Sequence, residues 1–127
     1  MAGFEKTRRL RSGSEFRKAF EQGAKVDTRL FRLVGHRNGS AEDRLGLAVG
    51  RGVGPAVTRN RVKRLLREAF RRSARSLGGW DLVVVARAPA GVSNQQEVDR
   101  ELGGAIERLL RRTEVRRLGS ASRAPGR

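Results

Sequence analysis

Cysteine and tyrosine are absent from this 127-residue chain, histidine and tryptophan occur once each, and 13 acids face 29 lysines and arginines. Without cysteine there is neither a disulfide framework nor a thiolate zinc site. The one histidine, His36, cannot build a histidine cluster. Chemistry resting on Cys or His, as nucleophile or as metal ligand, is therefore almost wholly excluded. No apolar run approaches the roughly 20 residues a spanning helix needs, and the N-terminus lacks the apolar stretch of a secretory signal, so a cytoplasmic protein with no membrane partner is expected. The acids are poorly placed for hydrolysis. Glu15, Glu21, Glu42, Asp43, Glu97, Asp99 and Glu101 fall in a capping turn, a loop and helix surfaces, where local electrostatics accounts for them. No paired set for metal ions and no general base emerges, so any catalysis this chain serves is performed by another molecule.

What is abundant is positive charge. A formal net charge of +16 and a pI near 11.9 make the protein repel itself and draw it to polyanions, nucleic acid first. The length suits one domain with a modest core. Met1 to Arg11 reads as a basic arm. Ser14, Phe16, Ala19 and Phe20, followed by Gly23, predict a short first helix with two aromatics on one face. Arg29 to Gly35 and Arg44 to Val49 read as strands about the turn His36 to Ser40, a plausible antiparallel hairpin. Gly50, Gly52, Gly54 and Pro55 interrupt regular structure. A long helix from Val57 to Ala74 follows, and Gly78 and Gly79 end it. Trp80 to Ala86 is a near-continuous apolar run of the kind covered on both faces, expected at the sheet centre. Ser93 and Gln96 form a capping-box pattern before a last helix with Val98, Leu102, Ala105, Ile106, Leu109 and Leu110 inward. Beyond Arg112 the composition turns basic and polar, with too little to bury, and disorder is expected over residues 113–127.

The long helix carries the functional signal. At 100° per residue Val62, Leu65, Leu66, Ala69 and Phe70 share an apolar arc, while Asn60, Arg64, Arg67 and Arg71 centre on the opposite side beside Lys63. Charged helix faces usually mix signs for pairing, yet Glu68 is the only acid in this run. Such a face, roughly 27 Å long, can neutralise several phosphates and release their counterions. Arg59 and Asn60 sit at the helix start, where unsatisfied N–H groups favour an anion. Asn60 fits either a helix cap or a contact to a base or sugar. Phe16, Phe20 and Phe31 fit either core packing or a trough whose rings stack on single-stranded bases. Trp80 reads as packing and His36 as a solvated loop residue.

The stretch Ala56, Val57, Thr58, Arg59, Asn60, Arg61, Val62, Lys63, Arg64, Leu65, Leu66, Arg67, Glu68, Ala69, Phe70, Arg71 resembles the arginine-asparagine-arginine signature of the protein subunits of bacterial ribonuclease P. Ser14 to Phe20, Arg44 to Val49 and Trp80 to Arg87 agree in order and spacing, so the resemblance covers nearly the whole chain. It implies an α/β (α+β) two-layer sandwich of the ribosomal protein S5 domain 2-like type, in the order α-β-β-(β)-α-β-α, with a left-handed strand-helix-strand crossover. Residues 1–112 would form that domain. It also implies a small protein that joins a catalytic RNA, the RNA using Mg2+ to cleave the 5′ leader from precursor tRNA, with no obligatory protein partner. The catalytic RNA would meet Arg51, Arg59, Asn60, Arg61, Lys63, Arg64 and Arg67, with Arg71 on the same cationic face. The leader would lie in a cleft lined by Phe16, Phe20, Phe31 and Leu33. Two departures stand out. Gly50, Arg51 and Gly52 occupy positions where the family often has a serine and two lysines, and a common tyrosine of the first strand has only Val34 as its nearest counterpart. A general RNA-binding or ribosome-associated protein without a catalytic partner, and a nuclease acting alone, are the alternatives.

Overall fold

The computed structural model describes residues 17, 18, 21, 23–73 and 77–123, with side chains described through residue 113. The basic arm, Phe16, Phe20 and most of the expected first helix lie outside the described residues; Arg17, Lys18 and Glu21 are helical and exposed. Four strands follow, β1 (Ala24–Asp27), β2 (Phe31–Arg37), β3 (Arg44–Ala48) and β4 (Trp80–Ala86), with helix α1 (Ala56–Ser73) between β3 and β4 and helix α2 (Gln95–Arg123) at the end. Single helical turns at Arg51–Val53 and Ala88–Val92 precede the two helices.

The sheet order is β1-β2-β4-β3. β1 pairs with β2 and β2 with β4, both antiparallel, whereas β3 runs parallel to β4. β4 is therefore central, as its apolar run requires. The expected hairpin between β2 and β3 is not formed, because β4 lies between them. Asp43 gives the local reason: its carboxylate accepts the backbone N–H groups of Leu77, Gly79 and Trp80 at 2.7 to 2.9 Å, which docks the turn before β3 onto the start of β4. Gly79 has φ +98, and a Cβ there would meet the Ser40 carbonyl oxygen at 1.8 Å, so only glycine permits that approach. The additional strand is β1, ahead of the two read from the sequence.

Alternation divides each strand. Val26, Phe31, Leu33, Leu45, Leu82 and Val84 join Val62, Leu66 and Phe70 of α1 and Val98, Leu102 and Leu109 of α2 in one core, so both helices cover the same face of the sheet. On the other face Val34 and Val83, register partners, are fully buried. Asp81 shares that face. It is buried, receives two hydrogen bonds from the Arg44 guanidinium at 2.8 and 2.9 Å and one from the Asn38 amide at 2.8 Å. His36 is not a solvated loop residue: it belongs to β2, its Nδ1 lies 2.7 Å from the Arg37 carbonyl oxygen, and its Nε2 is 3.9 Å from Asp81. Trp80 packs in the core, with the Arg37 guanidinium 5.6 Å from its ring centre.

The last helix departs from expectation at both ends. Its capping box is Asn94 with Glu97, one residue later than the expected Ser93 and Gln96: the Glu97 N–H donates to the Asn94 side chain at 2.8 Å and the Asn94 N–H to the Glu97 carboxylate at 3.0 Å. Ser93 instead turns its hydroxyl to the Ala90 carbonyl. At the other end the backbone stays helical through Arg123, past Arg112. Extension from an already packed helix avoids the cost of nucleation, and the Arg and Glu residues there are good helix formers.

Candidate nucleic-acid interface

α1 begins where Gly54 and Pro55 end the glycine-rich loop. Val62, Leu65, Leu66, Ala69 and Phe70 are its buried residues, the same five that periodicity assigns inward. The helix starts at Ala56, so Asn60 lies in the second turn and is not a cap; it is exposed. Arg59's N–H is bonded to the Pro55 carbonyl at 2.9 Å, which leaves the free N–H groups of the helix start to the residues before it.

The residues expected to touch RNA divide by what holds them. The side chains of Arg51, Asn60, Lys63 and Arg64 have no hydrogen-bond or ion-pair partner among the described residues, and Arg51, Asn60 and Arg64 are exposed. Arg59 and Arg61 are half-buried and turned to main chain: Arg59 Nε donates to the Gly54 carbonyl at 3.2 Å, and the Arg61 guanidinium donates to the Ser93 carbonyl. Arg67 is half-buried. Arg71 donates to Glu68, and Arg72 is bound by Glu68 at 3.4 Å and Asp99 at 2.7 Å. The Arg71 hydrogen bond holds the Glu68 carboxyl below the usual carboxylate range. The C-terminal end of the helix is thus partly neutralised by the protein itself, and the N-terminal half is not.

The same imbalance extends over the neighbouring segments. Residues 44–67 and 82–96 contain no acid, so the Arg51–Val53 turn, the start of α1 and the Ala88–Val92 turn make one acid-free end. Val57 sits there at 81% exposure, on the outward side with Asn60 and Arg64. An exposed apolar side chain amid cations suits a ligand that offers both phosphate and ribose or base. Periodicity leaves Val57 outside the apolar arc that begins at Val62, and its exposure on this side is what makes it a candidate.

The leader-binding residues fare differently. Phe31 is 1% and Leu33 0% exposed, both in the core beneath the helices, so neither is available to stack on a base. β2's alternation gives the opposite face to Arg32, Val34 and His36, of which Val34 is fully buried and Arg32 is half-buried. Phe16 and Phe20 lie outside the described residues. Among the described residues no three His, Asp or Glu side chains are grouped to hold a metal ion, and no helix is long and apolar enough to cross a membrane.

The family described as ribonuclease P matches residues 4–110. The ribonuclease P protein component of Pseudomonas aeruginosa (strain LESB58) is 38% identical over 125 residues, 97% of this chain and 91% of its own length. That of Azotobacter vinelandii is 39% identical over 123 residues, covering 93% and 95%. A solved Staphylococcus aureus RNase P protein superposes with a TM-score of 0.70 at 28% identity, over 85% of this chain and 96% of that one. The Thermotoga maritima RNase P protein gives 0.67 at 31% identity, over 81% and 96%.

Proposed function

Since the chain belongs to the bacterial ribonuclease P protein family, a subunit of the endoribonuclease that processes the 5′ leader of precursor tRNA, we propose that the acid-free end of α1 is the surface by which it grips the catalytic RNA. The observation that carries this reading is the pairing pattern. The side chains of Arg51, Asn60, Lys63 and Arg64 have no partner among the described residues and lie together on one end of one helix and the loop before it, whereas Arg29, Arg32, Arg72 and Arg87 are matched to acids. Cations left unmatched at one end are the ones an RNA backbone neutralises with the greatest release of counterions. Arg67 and Arg71 continue the same side of the helix.

Hydrolysis is assigned to the RNA, with Mg2+ held mainly by RNA, and the protein contributes by binding and by offsetting phosphate repulsion. Phe16 and Phe20 are assigned to the leader as stacking rings, and on the face of β2 opposite the helices Arg32, with 41% of its side chain exposed, is the residue open to a ligand. The parallel register of β3 and β4 with α1 between them makes this connection a strand-helix-strand crossover; its left-handed, S5 domain 2-like form rests on membership of the family. One core shared by all four strands and both helices supports a single domain with a basic C-terminal extension. A cytoplasmic location follows from the partners, catalytic RNA and precursor tRNA.

Reconstitution tests the assignment. Precursor tRNA is incubated with the protein alone, with the catalytic RNA alone at low magnesium, and with both. Cleavage is expected only when RNA is present and is expected to rise on adding the protein. Cleavage by protein alone would make it a nuclease in its own right, and no gain on mixing would return it to a general RNA-binding protein.

A further inference from the structure

Successive residues of a helix are turned by 100°. With Asn60 at the middle of α1's outward side, Arg59 and Arg61 must fall on its two borders, and each border is closed by main chain. Arg59 Nε donates to Gly54 O at 3.2 Å, and the Arg61 guanidinium donates to Ser93 O. The two carbonyls belong to different loops. Gly54 ends the loop that carries Arg51. Ser93 is buried and closes the Ala88–Val92 turn, fixed by bonds of its Oγ and N–H to Ala90 O at 2.7 and 3.2 Å.

The two loops also meet each other. A Cβ on Gly91 would stand 2.4 Å from the Val53 carbonyl oxygen and 3.5 Å from Thr58 Cγ2, so the turn after β4 lies directly against both the glycine-rich loop and the first turn of α1. Gly50 and Gly52 leave that loop little stiffness of its own, and a surface that must hold Arg51 in register with Arg64 needs something else to fix it.

We propose that Arg59 and Arg61 are positioning residues: they tie the Gly50–Gly54 loop and the Ala88–Val92 turn to the start of α1, so that Arg51, Asn60 and Arg64 meet the RNA as one rigid surface. This rests on the reading of α1's outward face as the RNA-binding surface. The two roles an arginine can have here differ in their salt dependence. A guanidinium in contact with phosphate displaces counterions and adds to the salt slope of binding, whereas one engaged by an internal carbonyl does not.

The test is equilibrium binding of the full chain to the catalytic RNA over a salt series, for Arg64→Gln, Arg59→Gln, Arg61→Gln, Arg61→Lys and Gly91→Ala, with circular dichroism melting of each. Arg64→Gln is the reference and should lower the slope by roughly one. Arg59→Gln and Arg61→Gln should weaken binding about tenfold, the order of one lost charge-assisted hydrogen bond, with the slope unchanged. Gly91→Ala removes no charge yet forces the same joint apart, and should give the same loss. Combined with Arg61→Gln it should add little. Arg61→Lys keeps the charge without the planar fork and should also lose affinity. A slope lowered by about one in Arg61→Gln, with Arg61→Lys binding as the parent does, would make Arg61 a phosphate ligand and overturn the proposal. Parental binding by Gly91→Ala would overturn it as well. If Arg61→Gln fails to fold, Arg61→Lys and Gly91→Ala decide. An unchanged slope in Arg64→Gln would instead remove the RNA-binding reading of the helix face itself.

Discussion

Asp43 shows how much one side chain can decide. Its carboxylate takes three backbone N–H groups from the segment that opens β4, two of them in fully buried bonds. Replacing it by alanine leaves those donors unpaired at roughly 1 to 3 kcal/mol each. Asp43→Ala is therefore expected to lose about 3 kcal/mol or more of stability in urea unfolding, and a loss under about 0.5 kcal/mol, the range of ordinary surface changes, would mean that water replaces the carboxylate. Nothing in the local sequence announces this residue, since an aspartate after a polar turn reads as loop. Its partners lie on the far side of α1 in the chain, and a sequence read in windows cannot join them. The same limit explains Phe31 and Leu33. Their strand was legible, but which of its faces met the helices depended on the whole sheet, and a one-residue change of face exchanges the buried set for the exposed one.

At the scale of elements, α1 was the most legible part of the molecule, because a period of 3.6 separates its arc from its cationic side without reference to anything else. What periodicity does not reveal is the state of each cation. Glu68 engages Arg71 and Arg72, so Glu68→Gln should release Arg71, tighten RNA binding and steepen its salt slope by up to roughly one unit. Weaker binding in that variant would mean that the ion pairs hold the helix end in its binding geometry. β4 was legible for a similar reason, since a run with no polar side has only a central place to go. Its neighbours were not, because β2 and β3 carry equivalent alternations and either could have paired with the other. The capping box of α2 was missed by one residue: Ser93 and Asn94 are both good caps, and the choice between them is made by Ala90, whose carbonyl takes the Ser93 hydroxyl.

For the whole molecule, the joints between elements are partly ionic. Asp27 on β1 is bonded by Arg32 of β2 at 2.6 Å and by Arg87 beyond β4 at 2.9 Å. The Arg32 hydrogen bond, then the charges of Arg32 and Arg87, hold its carboxyl below the ordinary value. A carboxyl depressed in the folded state stabilises fully above its unfolded pKa, about 3.9, and that contribution vanishes as pH falls through the folded value. Asp27→Asn should therefore melt below the parent at neutral pH, with the gap closing as the solution is acidified beneath pH ~3.9; a gap that persists in acid would assign the loss to packing. Composition made the charge of the molecule legible from the start. How the acids are distributed among the arginines was not, since pairs such as Arg72 with Asp99 and Arg87 with Asp27 join segments far apart in the chain.

The insertion of β4 between β2 and β3 also sets a timetable for synthesis. Until Trp80 to Ala86 has left the ribosome, β3 has no neighbour at all and β2 has only β1, a two-stranded ribbon of marginal stability in water. The apolar arc of α1 then has no sheet to cover. The nascent chain consequently carries its arginines as an unfolded polycation until late in translation. When β4 arrives, the sheet and the helix that covers it take shape together, so an assembling ribonucleoprotein is offered a complete subunit or none.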